Sequence, residues 1–291
     1  MKKREFNYDE EFMGIRKTKS KTYRLSFKED YRIRSLVKMI IPNKGKLLDA
    51  GCGGGVFTES LPYYIPKVKI YGCDVSRTAI GYAKKLGSGK VKYSAIKNKR
   101  FPYEDNFFDS CICVDVLEHV SDVNFFLKEV RRVLKKNGKL FLIVPCEGQP
   151  FTHTWLFQKM HVGDNLTNRY FGHIHPEYTH KSVIALLQKH GFTIAQKAYS
   201  EHLFYQFMHL LILFLPKRLL EILIGEEKTH EYTASSLVRS PKSKSDPVYN
   251  IRKYWLAFYN FMMMYPMFWE TVTFRRISLT AWKLHVLANK K

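Results

Sequence analysis

A regular beat of short apolar runs constrains the fold more than any other feature. The runs lie at 46–50, 68–73, 109–114 and 139–144, and stretches of helical spacing separate them, notably Ala79–Leu86 and Val123–Leu134, the latter ended by Asn137-Gly138. Strands alternating with helices build a parallel sheet covered on both faces. A further helix over Lys181–His190, closed by Gly191, feeds FTIAQKAY as a sixth strand. In Leu279–Ala288, Trp282, Leu284 and Val286 alternate with Lys283 and His285, which reads as an edge strand closing the sheet. The fold class expected is α/β: a doubly wound, mostly parallel seven-stranded sheet with a mainly helical apolar insertion between its last two strands.

The domain organisation follows. Residues 1–44 form an N-terminal helical segment, because Ile33, Leu36, Val37, Ile40 and Ile41 repeat at helical spacing before Pro42. Residues 45–200 form the core of alternating strands and helices, 201–277 the apolar insertion and 278–291 the final core strand. Within the insertion, LFYQFMHLLILFL at 203–215 is almost wholly apolar and YWLAFYNFMMMYPMFW at 254–269 carries no charge. The first run is too short to span a bilayer, and Asn260 and Pro266 interrupt the second. Cations flank both (Lys217 and Arg218; Arg252, Lys253, Arg275 and Arg276), the pattern of helices lying in a lipid head-group region. Packing on the sheet edge, a dimer interface and a transmembrane hairpin are the competing readings.

The first apolar run leads directly into a dense glycine turn. KLLDAGCGGG places Gly51, Gly53, Gly54 and Gly55 after Asp49, and such a turn between strand and helix offers backbone N–H groups to a ligand bearing an anion. Val56 stands where a dinucleotide fingerprint needs glycine, and no Gly-Lys-Ser or Gly-Lys-Thr follows, which argues against NAD and ATP. The next strand ends in YGCD, and Asp74 is placed to accept both hydroxyls of a ribose.

These elements resemble the class I S-adenosylmethionine-dependent methyltransferases of the Rossmann-like fold, especially the small-molecule, lipid and quinone branch. LLDAGCGGG, Asp74, FPYEDNFFDSCICVDVLEHV and LKEVRRVLKKNGKLFLIVP carry the resemblance over about 45–147. It implies S-adenosylmethionine as cofactor and a binding set of Asp49, Gly51, Cys52, Gly53, Asp74, Val75, Asn98, Val114 and Asp115. One departure is visible. Where the family commonly places an acid against adenine, this chain reads Lys97-Asn98-Lys99, so Asn98 is the expected partner.

Methyl transfer to oxygen benefits from a base, and His119 and His153 are the expected catalytic residues because segments after strand carboxyl ends face the ligand crevice. His173, His175 and His180 are further candidates. Similar quinone O-methyltransferases use acid-x-x-Glu-His for a divalent cation, a spacing shared by Asp115, Glu118 and His119, and HIHPEYTH invites comparison with a zinc cluster. The expectation is nonetheless no metal.

The formal net charge of +22 asks for an anionic partner. The expected acceptor is an apolar or lipid-linked small molecule at an anionic membrane surface, giving O-methylation of a lipid, a lipid-linked glycan or another apolar compound. Three alternatives stay open: a quinone or small-molecule enzyme without membrane contact, an RNA methyltransferase, and a non-catalytic cofactor-binding scaffold. Nucleic acid is disfavoured because DVLEHV replaces the Asn-Pro-Pro type of signature of base-amino enzymes. MKKREFNYDEEF lacks an apolar stretch behind its basic start, so the expected location is cytoplasmic, peripheral on the inner membrane face. Oligomeric state is left open. The five cysteines read as reduced core residues.

Overall fold

Consecutive residues along each strand turn to opposite faces, and both faces are covered. A computed structural model describes residues 31–39, 44–160, 172–211 and 269–291. β1 (Gly45–Ala50) pairs in parallel with β2 (Val68–Asp74) and β4 (Phe108–Val114), β2 with β3 (Val91–Ala95), and β4 with β5 (Leu134–Pro145). β7 (Lys283–Lys290) runs antiparallel between β5 and β6 (Phe192–Ser200), giving the order β3-β2-β1-β4-β5-β7-β6. Leu48, Cys113 and Leu142 enter one core with α4 (Val123–Val133) and α6 (His180–Lys189), through Leu127, Val130, Val183 and Leu187. Leu47, Ile112 and Phe141 enter the other with α1 (Tyr31–Met39) and α3 (Arg77–Leu86), through Ile33, Leu36, Ile80 and Ala83. Each such Leu, Ile, Val or Phe side chain contributes about 1.5–3 kcal/mol when fully buried.

Local chemistry sets the helix starts. Ser76 accepts from the Ala79 amide and Asp122 from the Phe125 amide, and Thr179 and Ser182 close a reciprocal capping box. Two expectations are corrected. β7 is an interior strand and β6 is the edge. The polar positions that suggested an edge are partnered inside the fold: the half-buried Lys283 bonds Asp115, and the buried His285 lies between the hydroxyls of Ser35 and Ser200. Asn137-Gly138 does not end the helix, which stops at Val133; it makes a turn (Asn137 φ 61°) inside the Leu134–Pro145 span, before β4 pairing resumes at Lys139. All five cysteines are buried free thiols.

Of the apolar insertion, 212–268 lies outside the described residues, and so does Pro42. Its two described ends are joined. α7 (Leu203–His209) has its Phe204 and Tyr205 amides donating to the Glu270 carboxylate at 2.8 and 3.2 Å, and Gln206 donates to the carbonyls of Glu201 and Thr280. No helix among the described residues is long and apolar enough to cross a membrane.

Candidate active site

The strand order reverses between β1 and β4, and a crevice opens at such a point outside the carboxyl ends of the strands. The glycine turn stands there. Gly51 and Gly53 have φ of 86° and 50°, which L side chains adopt at a cost. A Cβ on Gly51 would lie 2.5 Å from Val116, whereas a Cβ on Gly53 would meet nothing within 4 Å. One glycine therefore lets the turn pack on the protein, and the other leaves an opening for a ligand.

The turn's amides are largely consumed by the protein. Gly51 and Cys52 both donate to the Cys73 carbonyl, Gly55 donates to the Cys52 carbonyl, and Gly53 donates to Asp74 Oδ2 at 2.8 Å. This corrects the expectation of open N–H groups at Gly51, Gly53 and Gly55. A single turn, Thr58–Ser60, and the short α2 (Leu61–Tyr64) follow, too brief to add much dipole. Asp74 also accepts from the Ser76 amide at 2.9 Å, so its carboxylate is locked across the mouth of the turn. Asp49 is buried behind it and takes the Thr58 hydroxyl at 2.6 Å. Burial pushes the Asp49 carboxyl up to about 7; the Thr58 bond opposes this and Asp74 adds to it.

At the end of β4, Val114 is half-buried and Asp115 has φ 54°. Lys283 Nζ lies 2.9 Å from Asp115 Oδ1, and Arg32 Nη1 lies 3.3 Å from Oδ2. Burial would raise the Asp115 carboxyl, but the two cations outweigh it and hold it at about 2. Lys283 also reaches Glu201 at 3.4 Å, and Glu201 accepts from the Tyr31 hydroxyl. Burial works against the Lys283 charge, yet Asp115 and Glu201 raise its pKa above the ordinary lysine value. Sequence reading missed Arg32, Lys283, Glu201 and Tyr31 as site residues, because nothing local links positions 83 and 168 residues from Asp115.

The two catalytic histidine candidates have different neighbours. His119, in the short turn Leu117–His119, is bonded through Nδ1 to the Gly172 carbonyl at 3.0 Å and packs its ring 5.0 Å from His173. A carbonyl only accepts, so Nδ1 carries the proton and the lone pair is on Nε2. Burial, then His173, lowers the His119 pKa to about 4, which leaves the ring neutral at physiological pH. His153 opens α5 (His153–Lys159), where Gln206 Oε1 accepts from its backbone and lies 3.1 Å from Nδ1, with the Trp282 ring at 5.1 Å. Burial lowers its pKa also. Of the other candidates, His175 stacks on Tyr178 and bonds the Val120 carbonyl, and His180 packs on Tyr199.

A cation-competent group differs from the expected spacing. Asp115 is engaged by Lys283 and Arg32, while Glu118, His119 and His173 bring ligand atoms within 4.8 Å of one another. Both Glu118 oxygens are buried without a hydrogen-bond partner among the described residues, and burial, then Asp115, raises the pKa of this carboxyl. Glu147 bonds His173 Nδ1, the outer contact that orients a metal-binding imidazole. These residues could hold a divalent cation. The remaining cofactor candidates differ in exposure: Cys52 is buried against the Gly53 carbonyl, Val75 is exposed, and Asn98 is exposed at φ 50° in the turn after β3.

The switch-point crevice, the open glycine turn and the clasped acid at the end of β2 define the class I methyltransferase fold. Residues 48–142 match the family model described as a methyltransferase domain. Over 118 residues the chain is 36% identical to the ubiquinone biosynthesis O-methyltransferase of Pelagibacter ubique, covering 39% of this chain and 47% of that protein. The chain thus spans under half the length of the curated relatives it matches. Phosphoethanolamine N-methyltransferase 2 of Haemonchus contortus, solved with S-adenosylmethionine, superposes with a TM-score of 0.54 at 16% identity, covering 89% of this chain and 52% of that one. The [4+2]-cyclase SpnF superposes at 0.51 and 18% identity, over 89% and 80%. At these identities the structural likeness establishes the fold, which also supports chemistry other than methyl transfer. The match over residues 48–142 is to a methyltransferase domain, and the fold is the one shared by the class I S-adenosylmethionine-dependent methyltransferases.

Proposed function

We propose that this chain methylates an oxygen of an apolar small-molecule acceptor, a quinone-like or lipid-linked compound, at an anionic membrane surface. The observation that carries the reading is the Gly53–Asp74 clasp at the β1/β4 switch point, with an opening above Gly53. When bound, S-adenosylmethionine supplies an electrophilic methyl group on sulfur for direct displacement. Gly51, Cys52 and Gly53 would admit its amino-acid end, with Asp49 behind them; Asp74 and Val75 would hold the ribose, Asn98 the adenine, and Val114 and Asp115 the sulfonium side. His119 Nε2 would take the acceptor's proton, since its tautomer and depressed pKa make it a neutral base. His153 would serve as a positioning residue on the acceptor side, its ring held by Gln206.

The O-methyltransferase names of the relatives support oxygen as the methylated atom. The exposed apolar side chains of α7, with Arg275 and Arg276 nearby in sequence to its partner Glu270, support the membrane setting. The decisive test incubates the purified chain with methyl-labelled cofactor and a lipid extract. Label in an alkali-stable ether of an apolar compound is expected; label confined to RNA or protein would defeat the reading. His119→Ala is expected to cost about 10²–10⁴-fold in turnover with cofactor affinity intact. In the wild type, turnover should hold from neutral pH downward and fall as His119 protonates near pH 4.

A second reading concerns a cation. The Glu118 carboxyl, buried without a hydrogen bond among the described residues, and the Glu147–His173 pair favour Glu118, His119 and His173 as holders of a divalent ion, whose charge would favour an ionised acceptor oxygen. Metal analysis of the purified chain and of His173→Ala tests it; equal metal content in both would remove the group from consideration.

A further inference from the structure

Beside Tyr31, whose hydroxyl bonds Glu201, a cavity of about 370 Å³ opens between α1, β6 and residues 271–276. Its volume falls within the range of about 300–1,000 Å³ typical of small-molecule sites. Its lining shares no residue with the glycine turn. Arg34, Lys38, Arg275 and Arg276 all line it, and no carboxylate does among the described residues. Arg34 is buried on α1, so its charge is presented inside the protein rather than to open solvent. Thr271 also lines the cavity, is more than nine-tenths buried, and has a hydroxyl without a hydrogen-bond partner among the described residues. Thr273 adds another hydroxyl.

This lining is rich in donors and poor in acceptors. A buried hydroxyl without a partner is unfavourable, and a ligand oxygen would relieve it. Burial and the neighbouring Arg276 both lower the Arg275 pKa. Paired guanidiniums with hydroxyls at hand suit a tetrahedral oxyanion, which arginine engages through two parallel N–H bonds. The Tyr199 amide donates to the Arg275 carbonyl and fixes this segment against β6. The same segment exposes Val272, Phe274 and Ile277, so an apolar surface borders the cationic one.

We propose that the cavity bounded by Arg34, Lys38, Arg275, Arg276 and Thr271 binds the phosphoryl group of an amphiphile or of a free phosphorylated metabolite. The assignment is independent of the methyl acceptor and of His119, and it is read by binding rather than turnover.

The test uses the full chain and an Arg275→Ala/Arg276→Ala variant, with retained S-adenosylmethionine affinity as the control for folding. Calorimetric titration with inorganic phosphate and glycerol phosphate is run beside co-sedimentation with phosphatidylcholine vesicles with and without phosphatidate. Binding that the variant weakens by about ten- to a hundredfold is expected. Phosphatidate-dependent sedimentation names a lipid head group as the source; titration heat without sedimentation names a soluble phosphate ester. Should the variant prove misfolded, Lys38→Ala and Thr271→Val separately replace it, each expected to weaken binding. Wild-type chain that binds none of these probes, or variants that bind them all equally well, would overturn the assignment.

Discussion

At Asp49 the fold keeps a carboxyl out of water with one hydroxyl for support, and the energetic sign can be worked out. Its folded pKa, about 7, lies above the ordinary value of 3.8, so the folded state binds a proton that the unfolded chain releases. The stability contributed is complete below about 3.8 and is lost as pH rises through about 7. Asp49→Asn should therefore melt higher than wild type at pH 8 and show little advantage near pH 4, read by thermal melts across that range. Asp115 has the opposite sign. Its folded pKa of about 2 gives stability that is present above 3.8 and disappears as pH falls through 2. Lys283→Met removes the nearer of its two cations and leaves Glu201 short of one as well, and breaking a buried pair costs about 3–5 kcal/mol. A melt unchanged in Lys283→Met at neutral pH would show that Arg32 alone satisfies Asp115. Gly53 separates site from scaffold: Gly53→Leu strains a φ of 50° and fills the opening, so cofactor affinity should fall at least tenfold while the fold persists.

Among the elements, legibility follows sequence distance. The glycine turn and Asp74 could be read because strand, turn and acid lie within one βαβ unit, where chain order dictates position. The interior place of β7 could not be read that way. Lys283 and His285 looked like an outward polar face, and only partners on α1, just after β4 and on β6 reveal that they turn into the protein. The same distance hid the joint between the insertion's ends, where Glu270 satisfies the first amides of α7 from 65 and 66 residues away. Removing a carboxylate cap costs about 0.5–2 kcal/mol, a local loss rather than a global one. Glu270→Ala should accordingly speed amide exchange at Phe204 and Tyr205 while exchange in β4 and β5 stays as slow as in wild type. Equal acceleration throughout the chain would mean that α7 and the sheet open as one unit.

At the scale of the whole molecule, +22 and an exposed apolar face make different demands on a partner, and ionic strength separates them. Leu203 and Phe207 on α7 are each 57% exposed and Trp269 is 64% exposed, close to the Phe204–Glu270 joint. If phosphates of a nucleic acid neutralised the charge, each contact released by salt would steepen the fall of log affinity against log salt by about 0.9. Apolar side chains entering a bilayer gain about 1.5–3 kcal/mol each on full burial, a contribution that added salt does not screen. The chain should therefore remain on vesicles of anionic and zwitterionic lipid at an ionic strength that strips it from RNA. Replacing Leu203, Phe204 and Phe207 by serine should remove the salt-resistant fraction and leave the low-salt, charge-driven fraction in place. Binding of wild-type chain to vesicles that vanishes at the same salt as binding to RNA would mean that charge alone holds it there, and that the apolar face of α7 turns to something other than lipid.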